Sequence, residues 1–215
     1  MSAFTLIRTE LETRRRELVV VSAADVDPDY RRVLLAGELD GWTSPGADDH
    51  VRLFFPVEGI PMETWPSREF TPIPVGPAVA FEFVLHDGGV ASDWARAAGP
   101  GDRVVMGGPR RTMAIDGEPA WYVLLGDRTA EPAIRRFLAS IPEDTPRHVV
   151  IADTPQLIEA MNALPELPGD GFVFAAAEQS VVAAARAFLE SRGIPIDSAV
   201  IKGYWRRGLS ADAPK

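Results

Sequence analysis

The sequence has 215 residues, no cysteine, 31 acidic and 22 basic side chains, and a formal net charge of −9. This length allows one large domain or two small ones. The lack of cysteine excludes disulfides, thiolate metal sites and cysteine nucleophiles, and the acidic balance argues against nucleic-acid binding. No apolar run approaches the roughly 20 residues of a membrane-spanning helix, and the first ten residues do not resemble a signal peptide, so we expect a cytoplasmic protein with no membrane contact.

Residues 1–116 have the pattern of an antiparallel β domain, because short segments rich in Val, Leu and Phe are separated by Gly, Pro and Asp. The predicted strands are Arg16–Ser22, Arg31–Gly37, Val51–Pro56, Ala78–His86 and Arg103–Gly107. Strands at this spacing indicate a small barrel or sandwich. One helix interrupts them, since residues 92–99 offer a serine cap, helix-forming residues and a terminal glycine.

From residue 119 to residue 215 strands and helices alternate, which predicts a parallel sheet with right-handed crossovers. The predicted strands are Trp121–Leu125, Arg147–Ala152, Gly171–Ala175 and Ser198–Ile201. Thr129 and Ser180 are the predicted caps of the first and third helices, and the second begins at Thr154. Such sheets bind ligands beyond the carboxyl ends of their strands. A barrel followed by a small α/β sheet is also the order found in flavin reductases, which is an analogy at the level of the fold.

In the first half, residues 66–72 alternate an arginine, an aromatic ring and a hydroxyl on a strand-like segment. Arg68 and Phe70 then share one face of the strand, and Thr71 lies on the other. A guanidinium beside a flat ring can hold a phosphate and stack a flavin. The alternative is an edge strand with a surface arginine.

Residues 86–95 run from a strand end through Gly88 and Gly89 into a helix. Glycines let the backbone approach an anion, and the free N–H groups of a helix start bind phosphate. Asp93 would oppose an anion there. The alternative is a simple strand–turn–helix connection.

In the second half, residues 126–134 follow the first parallel strand, where a nucleotide phosphate usually binds. The segment lacks the glycine spacing of the dinucleotide fingerprint. A capped helix with Pro132 in its first turn explains it equally well.

Residues 202–208 follow the last strand and contain three cations, Lys202, Arg206 and Arg207. A cation cluster in an acidic protein suggests an anionic ligand. The alternative is a C-terminal segment fixed in place by Tyr204 and Trp205.

Taken together, six segments in order along the chain resemble the siderophore-interacting protein family, the flavin-dependent ferric-siderophore reductases. They are ADDHVRLFFP (47–56), REFT (68–71), HDGGVASDWA (86–95), GPGDRVVMGGPR (99–110), WYVLLGDRTAEPAI (121–134) and GYWRRG (203–208). The resemblance implies a ferredoxin-reductase-like fold, with an FAD-binding β-barrel domain at 1–116 and an NAD(P)H-binding α/β domain at 119–215. It also implies an enzyme that reduces ferric siderophore and releases Fe(II).

The resemblance also implies roles for individual residues. Arg68 would contact the flavin phosphates, Phe70 the isoalloxazine and Thr71 its polar edge. The rest of the FAD would be surrounded by His86, Gly88, Gly89, Ala91, Ser92, Trp94 and Ala95. The nicotinamide nucleotide would face Asp127, Thr129, Ala130 and Glu178, and the anionic ferric siderophore would bind Lys202, Arg206 and Arg207. The flavin carries the electrons, so neither a catalytic side chain nor a protein-bound metal is expected.

Several positions depart from the family pattern. Phe70 stands where tyrosine is usual, Ile73 replaces an arginine, Ala177 replaces a glycine, and the segment between Asp153 and Gly171 is short. Two alternatives therefore stay open: a non-catalytic siderophore- or protein-binding relative, and a general flavin reductase. A ferredoxin is an alternative electron donor, and we expect a monomer.

Overall fold

The computed structural model describes residues 3–208. Two compact units divide the chain. The barrel unit is Thr9–Thr112, and the sheet unit joins residues 3–8 to residues 113–208. Residues 209–215, which the predicted second domain includes, lie outside the described part.

The described residues form thirteen strands and four α-helices. The strands are β1 (Phe4–Glu10), β2 (Arg15–Asp27), β3 (Tyr30–Gly37), β4 (Val51–Phe54), β5 (Ser67–Phe70), β6 (Ile73–Val75), β7 (Ala78–Val84), β8 (Arg103–Gly107), β9 (Arg111–Gly117), β10 (Tyr122–Gly126), β11 (Arg147–Ile151), β12 (Phe172–Glu178) and β13 (Ala199–Trp205). The helices are α1 (Val90–Ala97), α2 (Glu131–Ser140), α3 (Thr154–Ala163) and α4 (Val181–Ser191). None of the helices within residues 3–208 is long and apolar enough to cross a bilayer.

The barrel unit is a seven-stranded antiparallel sheet in the order β5-β4-β8-β2-β3-β7-β6. Its two edge strands, β5 and β6, are separated in sequence only by Thr71 and Pro72. The sheet must therefore curl until its edges approach each other. Alternate residues of the strands, such as Leu18 and Val20 of β2, point into one shared core. Helix α1 packs on this core through Ala95.

The sheet unit is built on four parallel strands in the order β11-β10-β12-β13. Helices α3 and α4 cover one face, where Leu157 and Phe188 join the core cluster. Helix α2 covers the other face, since the ring of Phe137 lies 5.3 Å from that of Phe172 and 5.0 Å from that of Phe174. The predicted parallel sheet is confirmed, and its strands all end at one edge.

The division of the chain differs from the predicted one at the N-terminus. Strand β1 pairs with β9 in a separate two-stranded sheet. The backbone N–H of Ala3 donates to Asp170 at 2.9 Å, and the ring of Phe4 lies 6.5 Å from that of Phe172. These contacts tie the first residues to the sheet unit, although their sequence places them before the barrel.

Of the three predicted helix caps, only Ser180 occupies the predicted N-cap position. Ser92 lies inside α1, whose N-cap is Gly89. Helix α2 has Ala130 at its N-cap with no side-chain cap, and the hydroxyl of Thr129 donates instead to Asp127. Ser180 does precede α4, but it makes no capping bond with that helix, because its hydroxyl donates to Glu178. At Thr129 and at Ser180, a carboxylate at the end of a strand accepts a hydrogen bond from the hydroxyl.

Candidate functional site

A group of aromatic rings lies where β5 and α1 meet the barrel core. The ring centroid of Phe70 on β5 is 4.6 Å from that of Phe83 and 6.5 Å from that of Phe55. Trp94 on α1 contacts the same two rings, at 5.8 Å and 5.4 Å. The segments 68–71 and 86–95, which are distant in sequence, are therefore held together by two shared phenylalanines.

The register of β5 places Arg68 and Phe70 on one side of the sheet. Arg68 pairs with Leu53 and Phe70 with Val51, and both partners are core residues. Directly paired residues share a face, so Arg68 and Phe70 lie on the inner face at an edge strand, where both remain half-buried. A guanidinium Nη atom of Arg68 donates to the carbonyl of Ser67 at 2.8 Å. The predicted shared face of Arg68 and Phe70 agrees with the structure, whereas Thr71 follows the end of β5 and is buried.

The turn before α1 exposes backbone donors. Gly89 is the N-cap of α1 and no side chain caps the helix, so the first N–H groups have no side-chain acceptor. Gly88 has a φ of 73°, in the left-handed region that favours glycine. A Cβ built on Gly89 would lie 2.4 Å from Cε1 of His86. Gly89 is thus required for the imidazole to lie against the turn.

Two residues predicted to contact the cofactor support α1 from inside. Ser92 is buried, and its hydroxyl accepts the N–H of His86 and donates to the carbonyl of Val84, both at 3.2 Å. Ala95 is fully buried in the barrel core. Their side chains hold the helix in place, so their predicted contact with a cofactor would be made by the backbone. Ala91 and Trp94 are half-buried on the same helix.

In the sheet unit, Asp127 joins the loop after β10 to the end of β13. One carboxylate oxygen accepts the backbone N–H of Thr129 at 2.9 Å and its hydroxyl at 2.5 Å. The other oxygen accepts the indole N–H of Trp205 at 2.6 Å. Asp127 is buried and both its oxygens are used within the protein. Ala130, also predicted to face the nucleotide, is fully buried at the start of α2.

Glu178 forms a second such junction one strand away. It accepts the backbone N–H and the hydroxyl of Ser180, and its other oxygen accepts the backbone N–H of Arg207 at 3.3 Å. The bonds from Ser180, followed by the bond and charge of Arg207, lower the pKa of Glu178 below its ordinary value. Glu178 is therefore a carboxylate at neutral pH and fixes the backbone at Arg207.

The predicted substrate cations lie at the same edge of the sheet. Lys202 pairs in register with Ala176, which pairs with Gly126. Lys202 is half-buried, while Arg206 and Arg207 are exposed. The structure thus places the predicted nucleotide residues and the predicted substrate residues side by side at the carboxyl ends of β10, β12 and β13.

One contact at this edge of the sheet, between Trp205 and Asp127, was not predicted. Trp205 entered only as part of the structural alternative for its segment, whereas its indole N–H binds Asp127. The spacing of the two residues, 78 positions, leaves no local pattern that would pair them. The sequence offered only an aspartate after one predicted strand and a tryptophan shortly after another.

The fold is ferredoxin-reductase-like. A ferredoxin NADP+ reductase from Neisseria gonorrhoeae superposes with a TM-score of 0.62 at 12% identity, over 90% of this chain and all (100%) of that one. A siderophore utilization protein from T. fusca superposes with a TM-score of 0.83 at 27% identity, over 95% of this chain and 97% of that one. The predicted fold class is confirmed.

Two family models match the chain in the predicted order. The model described as siderophore-interacting FAD-binding domain matches residues 67–113, and the model described as siderophore-interacting protein matches residues 152–208. These two matches confirm the resemblance to the siderophore-interacting protein family that the motifs predicted.

Named relatives support this assignment. An NADPH-dependent ferric-chelate reductase of Escherichia coli is 37% identical over 155 residues, which are 62% of this chain and 60% of that protein. A ferric vibriobactin reductase of Vibrio cholerae is 25% identical over 238 residues, which are 87% of this chain and 88% of that protein. The match to the first curated relatives spans about three fifths of their length.

Proposed function

We propose that the protein is an FAD-dependent reductase of ferric siderophores that takes its electrons from NAD(P)H. The observation that carries this proposal is the junction of the β5 and α1 segments through Phe55 and Phe83. It places a half-buried arginine, an aromatic ring and an uncapped helix start in one region, within the match to the FAD-binding model.

The residues of this region fit an FAD. Arg68 would pair with the phosphates, and the backbone N–H groups at the start of α1 would donate to them. The absence of a Cβ at Gly89 leaves the backbone close to His86 and open to a ligand. Phe70 offers a ring for the isoalloxazine, without the hydroxyl that tyrosine would add. When bound, FAD supplies hydride acceptance and single-electron transfer.

In the sheet unit, the loop at 126–130 would receive the nicotinamide nucleotide. Asp127 would support this loop without contacting the nucleotide, because its carboxylate accepts hydrogen bonds from Thr129 and Trp205. Glu178 fixes the chain at Arg207 in the same way. We assign nucleotide contact to the loop backbone and to Thr129, with both carboxylates as supports.

The substrate is an anionic ferric siderophore held by Lys202, Arg206 and Arg207. An arginine-rich patch is needed because the whole protein carries a charge of −9. The iron is ligated by the siderophore, so no protein ligand is required. Reduction to Fe(II) weakens a hard-oxygen chelate and releases the metal. We further propose a cytoplasmic monomer, with a ferredoxin as the alternative electron donor.

The first test is the visible spectrum of the purified protein before and after FAD and then NADPH are added. The proposal expects a flavin spectrum that NADPH bleaches in the absence of oxygen. Bound FAD that neither NADPH nor NADH reduces would exclude NAD(P)H as the donor and leave a ferredoxin as the alternative. A protein that binds no FAD but still binds a ferric siderophore is the non-catalytic relative, and the reductase proposal is then wrong.

A further inference from the structure

A pocket outside the candidate sites lies in the barrel unit, at the end where β2 begins and where β3 and β8 end. Its volume is about 300 Å³. Arg16, Trp42, Gly108 and Pro109 line it from within, and Arg14 lies at its mouth. None of these residues belongs to the candidate flavin, nucleotide or siderophore sites.

Arg16 is the unusual member of this pocket. It lies on β2 with the same inward alternation as Leu18 and Val20 and is only 6% exposed. One Nη atom donates to the carbonyl of Arg14 at 3.2 Å, whereas the buried Nε has no hydrogen-bond partner. Burial, and next the charge of Arg14, lower the pKa of Arg16. A buried cation is unfavourable unless negative charge near its guanidinium offsets its loss of hydration.

Trp42 and Gly108 form another wall of the pocket. The indole N–H of Trp42 donates to the carbonyl of Gly108 at 3.0 Å, which fixes the ring in the pocket wall. Gly108 has a φ of 99°, so its backbone takes a conformation that favours glycine. Glu12 and Asp40 at the mouth carry negative charge, and Glu12 raises the pKa of Arg16. Both carboxylates limit the affinity of the pocket for a lone anion.

We propose that this pocket binds a small oxyanion, a phosphate or carboxylate group, between Arg16 and Arg14. A guanidinium presents parallel N–H donors that match the oxygens of either group. The volume lies at the lower end of small-molecule sites, which admits such a group or a small molecule that carries it. The group comes either from a free anion or from the phosphate of a nucleotide, and both share this chemistry.

Inorganic phosphate is the probe, added to the full chain at constant ionic strength. The signal is the arginine Nε–H resonance of Arg16 in a nitrogen-edited NMR spectrum, assigned by its loss in Arg16→Met. Arg14→Gln is the test variant because Arg14 is exposed at the mouth. Arg15→Gln is its matched control: it removes the same charge one residue away, where the guanidinium lies 4.7 Å from the ring of Phe54.

The wild type should show a saturable shift of the Arg16 resonance. Arg14→Gln should raise the apparent Kd about tenfold, the size expected for one charge-assisted hydrogen bond, and Arg15→Gln should leave it unchanged. No saturable shift, or an equal effect of the two variants, overturns the proposal. Repeating the titration with saturating FAD separates the sources: retained phosphate binding assigns the site to a free anion, and competition by FAD assigns it to a nucleotide phosphate.

Discussion

Asp127 illustrates how a side chain predicted to bind a ligand can serve the protein's own loop. The sequence placed it correctly after a parallel strand, where ligands bind. Its bonds to Thr129 and Trp205 depend on a partner 78 residues away and had no local signature. At the scale of single residues, the sequence therefore located the strand end that carries Asp127, but not the bonds by which Asp127 supports its own loop.

Asp127→Asn should destabilise the protein by about 1–3 kcal/mol, because the amide cannot accept on both sides as the carboxylate does. Urea unfolding measures the change. Asp116→Asn, at an exposed position of the same unit, is the control and should change stability little. Equal stability of the two variants would contradict the supporting role of Asp127.

Glu178 should titrate below the ordinary range of a glutamate. Its pKa is lowered in the folded state, so its stabilising effect is present at neutral pH and is lost as the pH falls through that lowered pKa. Carbon NMR of the side-chain carboxyl measures the midpoint. Ser180→Ala removes the hydroxyl donor and should move the midpoint upward. A wild-type midpoint in the ordinary range would refute this assignment.

At the scale of elements, strands with regular alternation were predictable and elements fixed by distant partners were not. The strand containing Val79, Phe81 and Phe83 followed from its period of two. Strand β1 did not, because its place depends on β9, Asp170 and Phe172. The turn before α1 was predictable from its two glycines, but the ring of His86 against Gly89 required the structure.

Gly89→Ala should weaken FAD binding about tenfold, because the new Cβ forces the exposed ring of His86 off the turn before α1, where the ligand is proposed to bind. Quenching of flavin fluorescence measures the affinity. Gly99→Ala, where a Cβ meets open space, is the control. Full affinity in Gly89→Ala alone would contradict the account.

At the scale of the whole molecule, the two-unit plan and the order of its parts were predictable from six short motifs. The net charge of −9 repels an anionic substrate. We therefore propose that the sheet edge carrying Lys202, Arg206 and Arg207 attracts the substrate locally. The pocket around Arg16 was not predictable, because three separate strand ends form it.

Arg206→Gln combined with Arg207→Gln should raise KM for an anionic ferric siderophore about tenfold, while FAD stays bound. Steady-state reduction assays at low salt measure this. Arg186→Gln, on the exposed face of α4, removes a charge elsewhere in the sheet unit and is the control. A similar KM in the three proteins would remove the cation cluster from substrate binding.

The central claim is that electrons pass from NAD(P)H through FAD to a ferric siderophore. Its most direct test is an anaerobic experiment with FAD-saturated protein: NADPH is added, then a ferric siderophore, with an Fe(II)-specific chelator present throughout. The account predicts that flavin absorbance falls with NADPH and returns with the siderophore as chelated Fe(II) forms. A reduced flavin that is not reoxidised by the siderophore, with no Fe(II) released, would contradict it.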